Sequence, residues 1–537
     1  MNARFCAFVA CLTLLSPGLF ADDDHHHGAT EKLGAVNFPT SCATVVQKPF
    51  ERGVALLHSF EYEQAENQFK EISAKDPQCA IAYWGEAMSL YHQLWQRPAK
   101  DVLQHGHELV EKGRALQPKT ARERDYLDAL AAFYNEPGKL GHEERAAAYA
   151  QAMEGAYQRN PQDREAAVFY ALALLSSGNE EDPTLANAKK AVGILQKQFD
   201  LQPDHPGIAH YIIHSCDNPA MAGLGLAAAR KYASIAPSSA HAVHMPSHIF
   251  ARLGLWQDDI QSNTLAIQAA DKMSAMHFHT MHHRMHSLDF MHYAYMQIGD
   301  DEKARATMDQ LAHISKKDIE DDYQNYYDER SADFAARYAT ERRQWKEALT
   351  LQPVSGALPH IQATTYWAQA VAAGHLLDAA AAQAALDKYD AAVDATRKGP
   401  KPHLATRMKN GRDEAQAWAF YAQERKDKKD EALKLMRAVA DRQDKIGKGE
   451  TEMPAREMLA DMMLAMGKPQ EALGEYETSL RTDPNRFNGL FGAAQAAEQA
   501  QQKQKAARYY AQLLANCQGA QSDRPELEKA KTLVAAK

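Results

Sequence analysis

An interval of thirty-four residues constrains this chain more than any other feature of its sequence. In PAREMLADMMLAMGKPQEALGEYETSLRTDP (454–484), Ala460 is a small residue on a first helix and Gly467 marks a turn. Ala472 and Tyr476 then form a small–aromatic pair on a second helix, and Pro484 is the stop. Thirty-four residues after Ala472 and Tyr476 stand Ala506 and Tyr510. The same order recurs in 49–77 as Gly53, Ala65, Phe69 and Pro77, and in 283–311 as Tyr295, Gly299, Ala304 and Met308. Further copies lie around Ala432 and Met436, with a degenerate one at Ala348. A fixed period of this length is the mark of stacked helical hairpins, each unable to bury its apolar face without a neighbour. At 537 residues the chain exceeds what one compact core supports, so a long array also answers the question its length poses.

The spacing and residue types fit the tetratricopeptide repeat (TPR). The expected fold is therefore all-α, a TPR helical-hairpin solenoid wound as a right-handed superhelix. Loops at 353–360 and 397–412 are the candidate breaks. They suggest a boundary near 355 between an N-terminal half (41–355) and a C-terminal half (356–537).

Residues 1–21 read as a secretory signal peptide. Arg4 supplies the positive charge, Phe5 to Leu15 a short apolar stretch, and Ser16-Pro17-Gly18 a break before Ala21. That stretch is too short to span a bilayer, so export to the periplasm or beyond, with cleavage near Ala21, is expected. Residues 22–40, with DDDHHHGAT, read as a flexible leader. Four cysteines remain in the mature chain, and an oxidising compartment permits a bridge. Cys42 and Cys79 each open the first helix of consecutive hairpins and are the natural pair. The net charge of −9, mixed in sign, leaves no basic stripe for nucleic acid.

Half of the 24 histidines fall in 205–292, about one-sixth of the chain. His210 and His214 are four apart and share a helix face; His241, His244 and His248 share another. His244 follows His210, and His248 follows His214, by one thirty-four-residue period, so adjacent first helices should carry them at one height. His282, His286 and Asp289 continue the pattern on a third helix. First helices line the concave groove of such an array, where a protein or peptide partner would lie. Imidazoles converging there suit zinc, copper, nickel or iron, with His210, His214, His241, His244, His248, His286 and Asp289 as candidate ligands. Asp217 and Asp289 also suit a role behind the ligands, fixing imidazole tautomers. Pro246 removes the amide bond to the carbonyl of Ala242 and should interrupt its helix. Two other readings of the cluster stand beside the metal: an ordered polar layer that sets repeat register, and a pocket for an anion.

Other signals fall away. Gly223-Leu224-Gly225 lacks the preceding strand that a dinucleotide fingerprint requires. No phosphate loop, zinc-protease helix or nucleophile elbow is present, and Cys216 beside His214 reads as a buried thiol or a ligand before a nucleophile. The aromatic runs at 82–84 and 92–95 read as core.

FPTSCATVVQKPFERGVALLHSFEYEQA (38–65), HPGIAHYIIHSCDNP (205–219), HAVHMPSHIFARLGLW (241–256) and HSLDFMHYAYMQIG (286–299) resemble a group of exported bacterial TPR proteins, distantly similar to the tetratricopeptide repeat protein 38 family. The resemblance covers roughly 38–350. It implies the solenoid fold, the Cys42–Cys79 bridge and a role for the histidine blocks, and no particular activity. Three functions remain from sequence: an exported interaction scaffold with a histidine-lined, metal-binding groove, a metal-dependent enzyme using the cluster, and a peptide-binding TPR protein whose histidine layer is structural.

Overall fold

The computed structural model describes residues 31–94, 97–136, 138–179, 182–319 and 323–535. The expected signal peptide, the leader up to residue 30 and Trp95 lie outside the described residues. Among those described there is no strand, and the chain is a succession of helical hairpins. Thr44–His58 with Tyr62–Lys75 is the first, and Phe487–Gln499 with Lys503–Asn516 one of the last. No described helix is long and apolar enough to cross a membrane. The fold is an all-α, TPR-like solenoid.

The repeat is held together by aromatic rings set against small residues. The ring of Phe69 fills the space where a Cβ on Gly53 or Gly85 would sit, so one side chain locks two successive first helices. Tyr476 does the same against Gly492, and Trp418 against Gly374. Seven hairpin turns place a left-handed residue after the first helix. Phe60, Arg343, Leu377 and Gln501 adopt φ of 55–61°, where Gly254, Gly299 and Gly467 adopt 64–73°. In every case the next amide reaches back to a carbonyl five residues earlier, at 2.8–3.0 Å, as from Glu61 to Leu56 and from Gln502 to Ala497. That bond satisfies an orphaned helix-end carbonyl.

Cys42 and Cys79 are joined by a disulfide, their Cα atoms 4.8 Å apart. Cys216 and Cys517 are free and buried. For residues 31–40 the flexible leader expected from composition needs correcting. Phe38 is fully buried, its ring 5.1–5.5 Å from those of Phe50, Trp84 and Tyr126. The Ala35 amide donates to the Asp204 carbonyl at 2.9 Å, and Lys32 N to Ser238 Oγ at 2.8 Å. An apolar aromatic ring with a cavity to fill outweighs the polar composition around it.

The superhelix is wound tightly enough that successive turns touch. Trp256 Nε1 donates to the carbonyl of Asn485 at 2.8 Å, and Asn485 Nδ2 to that of Gly254 at 3.1 Å. Arg486, 1% exposed, reaches Tyr293, Glu341 and Glu457. Arg524 pairs with Asp301 at 2.5 Å. Packing also runs through the expected boundary near 355, where Ala332 meets Ala357 and Ile361.

Candidate metal centre in the superhelix interior

Three successive first helices carry the histidines: Pro206–Cys216, the pair Ala240–His244 and Pro246–Arg252, and Met281–Gln297. The break at Met245 is the interruption expected from Pro246. The second and third of these helices pack against Trp256–Ser274, which supplies Asn263.

These histidines do not line an open groove. His210 is fully buried, and His241, His244 and His248 are 3%, 2% and 9% exposed. One side is covered by the first hairpin turn, where the Phe60 ring lies 4.4–5.6 Å from those of His210, His214 and His241. The other side is closed by the loop bearing Lys448 and Glu450, which meets Arg252 and His248. The expectation of a solvated concave surface is thus corrected: the tight winding fills the groove with the chain's own residues.

Within the layer the imidazoles form two sets. In each, one ring nitrogen per histidine lies within 4.8 Å of the others: His210, His214 and His241 in the first, His244, His248 and His286 in the second. His210 Nδ1 donates to the carbonyl of His58 at 2.6 Å, which leaves its Nε2 bare, 3.0 Å from His241 Nε2. His214 Nε2 is buried without a hydrogen-bond partner. In the second set His244 Nδ1 donates to Asn263 Oδ1 at 2.6 Å. The Asn263 amide nitrogen is committed to Asp259, so that assignment is fixed. His244 Nε2 and His248 Nε2 are 3.0 Å apart. His248 Nδ1 faces Asp217 Oδ2 at 2.8 Å and Glu450 Oε1 at 3.1 Å, and His286 Nδ1 meets the Tyr326 hydroxyl at 2.9 Å. The Nδ1 atoms of four imidazoles are therefore held by a second group, while ring nitrogens converge. That is how proteins orient metal-binding histidines. Donors about 2.1 Å from an ion at angles of 90–109° stand roughly 3.0–3.4 Å apart, so the observed 3.0 Å contacts are of the right size.

Burial holds the protonation of most of these rings well below the usual histidine range, to about 3 for His210 and His286. His214, His241 and His244 are also pushed far down, first by burial and then by their neighbouring imidazoles. His248 goes the other way. Burial lowers it, but Asp217 and Glu450 outweigh this and raise it to about 10. The layer is thus mostly neutral imidazole, the form that binds metal.

Asp289 is not part of either set. Its carboxylate is taken by Arg330 and Arg337, the latter at 2.7 Å. His283, and not His282, turns toward the layer, with its ring 5.9 Å from that of His241. His282 stacks on Tyr323 at 4.4 Å. Glu450, Asn263, Tyr326 and Phe60 escaped the sequence reading, because no spacing rule links residues that meet from different helices and loops. A neighbouring group, His58, Glu165 and His205, has a different character. Glu165 accepts from both Nε2 atoms at 2.8 Å, His58 Nδ1 meets the Tyr211 hydroxyl at 3.0 Å, and His205 Nδ1 caps the next helix. With every nitrogen of that group engaged, it is a buried tie between hairpins.

No protein-family profile and no curated protein sequence matches the chain. Among solved structures it is similar to the human IFIT1 dimer with m7Gppp-AAAA (12% identity, 81% of this chain and 90% of that one, TM-score 0.34). The human IFIT1 dimer with PPP-AAAA gives 11% identity over the same shares, with a TM-score of 0.35. Naa15/Naa10 bound to HypK-THB gives 12% identity over 92% of this chain and 74% of that one, with a TM-score of 0.23.

Proposed function

We propose that this is an exported helical-repeat interaction protein whose interior histidine layer binds a late first-row transition metal through His244, His248 and His286. The observation that carries the reading is the convergence of one nitrogen from each ring to within 4.8 Å, with Nδ1 of the three rings held by Asn263, by Asp217 and Glu450, and by Tyr326. Zinc, copper, nickel and iron all accept such a donor set. The imidazole donors select these ions over magnesium and calcium, which take oxygen ligands. Export rests on the reading of residues 1–21, and fractionation of cells making the untagged full-length chain tests it: the mature mass belongs in the exported fraction.

A second reading has its own observation. With His248 protonated, its Nε2–H donates to His244, and Asp217, His248, His244 and Asn263 become one continuous hydrogen-bonded chain without any ion. Metal analysis separates the two. The protein is purified without a tag in a His25→Ala/His26→Ala/His27→Ala background, which removes the leader's three adjacent histidines. The metal reading expects at least one tightly held equivalent that is lost in His244→Ala/His286→Ala. A chain that holds no metal above background, and melts identically with and without chelator, is the hydrogen-bonded layer.

A further inference from the structure

The proposed site uses only one of the two histidine sets, and the other is built to the same plan. His210, His214 and His241 also offer three nitrogens within 4.8 Å of one another. Each part has a reason to face inward. His210 is aimed by the carbonyl of His58, which takes its Nδ1–H and leaves the Nε2 lone pair pointing at the cluster. His241 presents Nε2 to that same point at 3.0 Å. His214 presents a buried Nε2 with no hydrogen-bond partner. Leaving a buried nitrogen unsatisfied destabilises the fold, and a bound cation removes that cost. The set differs here from His58, Glu165 and His205, where each nitrogen has a partner.

The two sets adjoin. The rings of His214 and His248 are 6.3 Å apart, and those of His241 and His244 are 6.4 Å apart. His241 and His244 come from one turn of one helix, so neither set can be displaced without the other. Phe60 covers the first set and Phe290 the second, with Phe290 lying 4.7–5.3 Å from His244, His248 and His286. Each set thus has three imidazoles, an anchored Nδ1 and an apolar ring beside it.

We infer that the layer is a two-ion centre, in which His210, His214 and His241 hold a second transition-metal ion next to the one on His244, His248 and His286. This rests on the metal reading above and adds to it a stoichiometry and a second ligand set. The ligands of the second ion are neutral imidazoles only, so it takes an ion content with nitrogen donors, such as zinc, copper or cobalt as a probe.

The test is titration of chelator-treated full-length mature protein, in the His25→Ala/His26→Ala/His27→Ala background, with zinc and separately with cobalt(II), read by native mass spectrometry. Two ions are expected. His214→Ala/His241→Ala should leave one, and His244→Ala/His286→Ala should also remove one. A single ion that is lost with the second set and indifferent to the first overturns the two-ion centre and leaves the proposed function standing. No ion at all overturns both. Two ions that both survive His214→Ala/His241→Ala place the second elsewhere and overturn the inference. If these variants do not fold, anomalous diffraction from cobalt-loaded wild-type crystals decides it. Two peaks, one inside each triad, are expected, and a single peak refutes it.

Discussion

Arg486 offers the sharpest test of how the superhelix is closed. Its guanidinium is 1% exposed. It donates from Nε to Glu457 at 3.0 Å, from Nη2 to Glu341 at 2.8 Å, and from Nη1 to the Tyr293 hydroxyl. Glu341 and Glu457 are themselves only 2% exposed. Substituting Arg486→Met keeps most of the volume and removes the charge, leaving two carboxylates facing each other in the interior. Breaking one buried pair in this way costs about 3–5 kcal/mol, and here two carboxylates lose one cation, so the upper end applies. The melting temperature would register this weakly. Unfolding entropy of about 2.1 cal/mol/K per residue, over some 500 residues, is roughly 1 kcal/mol/K, so the shift is only about 3–5 °C if the chain melts as a unit. Hydrogen exchange is the better assay. Amides of 485–490 and of 254–256, which meet across the closure, should exchange at least a hundredfold faster in Arg486→Met. The triple change Arg486→Met/Glu341→Gln/Glu457→Gln, which neutralises the stranded groups, should recover most of the loss. Unchanged exchange at both stretches in Arg486→Met would refute the claim that this ion cluster clasps the turns together.

Glu414 accepts from Trp367 Nε1 at 2.8 Å, and burial, with help from Glu452 and Asp413, raises its pKa to about 8. The folded state therefore keeps a proton that the unfolded state releases near 4.5, so stability should fall as pH rises from about 4.5 to 8. Glu414→Gln should flatten that slope in urea midpoints taken at pH 5.5 and 8.5, the difference between those two pH values being at most ~3 kcal/mol; equal slopes would count against it. Phe38→Ala should cost about 3–5 kcal/mol and expose residues 31–43 to limited proteolysis, whereas an unchanged digestion pattern would return this stretch to a loose leader. A Cβ on Gly492 would sit 2.3 Å from the Tyr476 ring, while nothing lies within 4 Å of one on Gly474. Gly492→Ala should thus destabilise by about 1–3 kcal/mol and Gly474→Ala stabilise by roughly 0.5–1 kcal/mol, with opposite shifts in denaturation midpoint as the check. Removing the Cys42–Cys79 bridge, which spans 37 residues, should cost about 3–4 kcal/mol by loop entropy, and intact mass of the mature protein should show two hydrogens missing.

The period could be read from the sequence where the hairpin turn uses glycine, as at Gly299 and Gly467. Where Phe60, Arg343 or Gln501 occupies the same left-handed position, the repeat was read from its small and aromatic helix residues and the turn itself was not, because the helix-end hydrogen bond, and not the residue type, holds the turn. Helix identity and the three histidine-bearing helices followed from spacing alone. The grouping of the histidines did not. Equal height was assigned to His210 with His244, yet His210 meets His241 and His244 meets His286. Neighbouring helices cross at an angle, so a row of one height drifts away from a strict thirty-four-residue step. Burial was missed for a different reason. It depends on Phe60, Glu450 and Asn485 arriving from other turns, and a local pattern holds no record of how tightly a superhelix is wound.

That tight winding also bears on how such a chain can change in evolution. An open array gains or loses a repeat almost anywhere, since each unit answers only to its neighbours. Here Asn485 must arrive at Gly254 and Trp256, and Arg486 at Tyr293, after a fixed number of hairpins. A duplication within 342–449 would carry Pro484–Arg486 one unit past those partners, strand Glu341 without its cation, and lift Glu450 away from His248. Repeat number in this stretch is therefore frozen by the clasp. Duplications or losses would be tolerated only where they leave both sides of each contact in step.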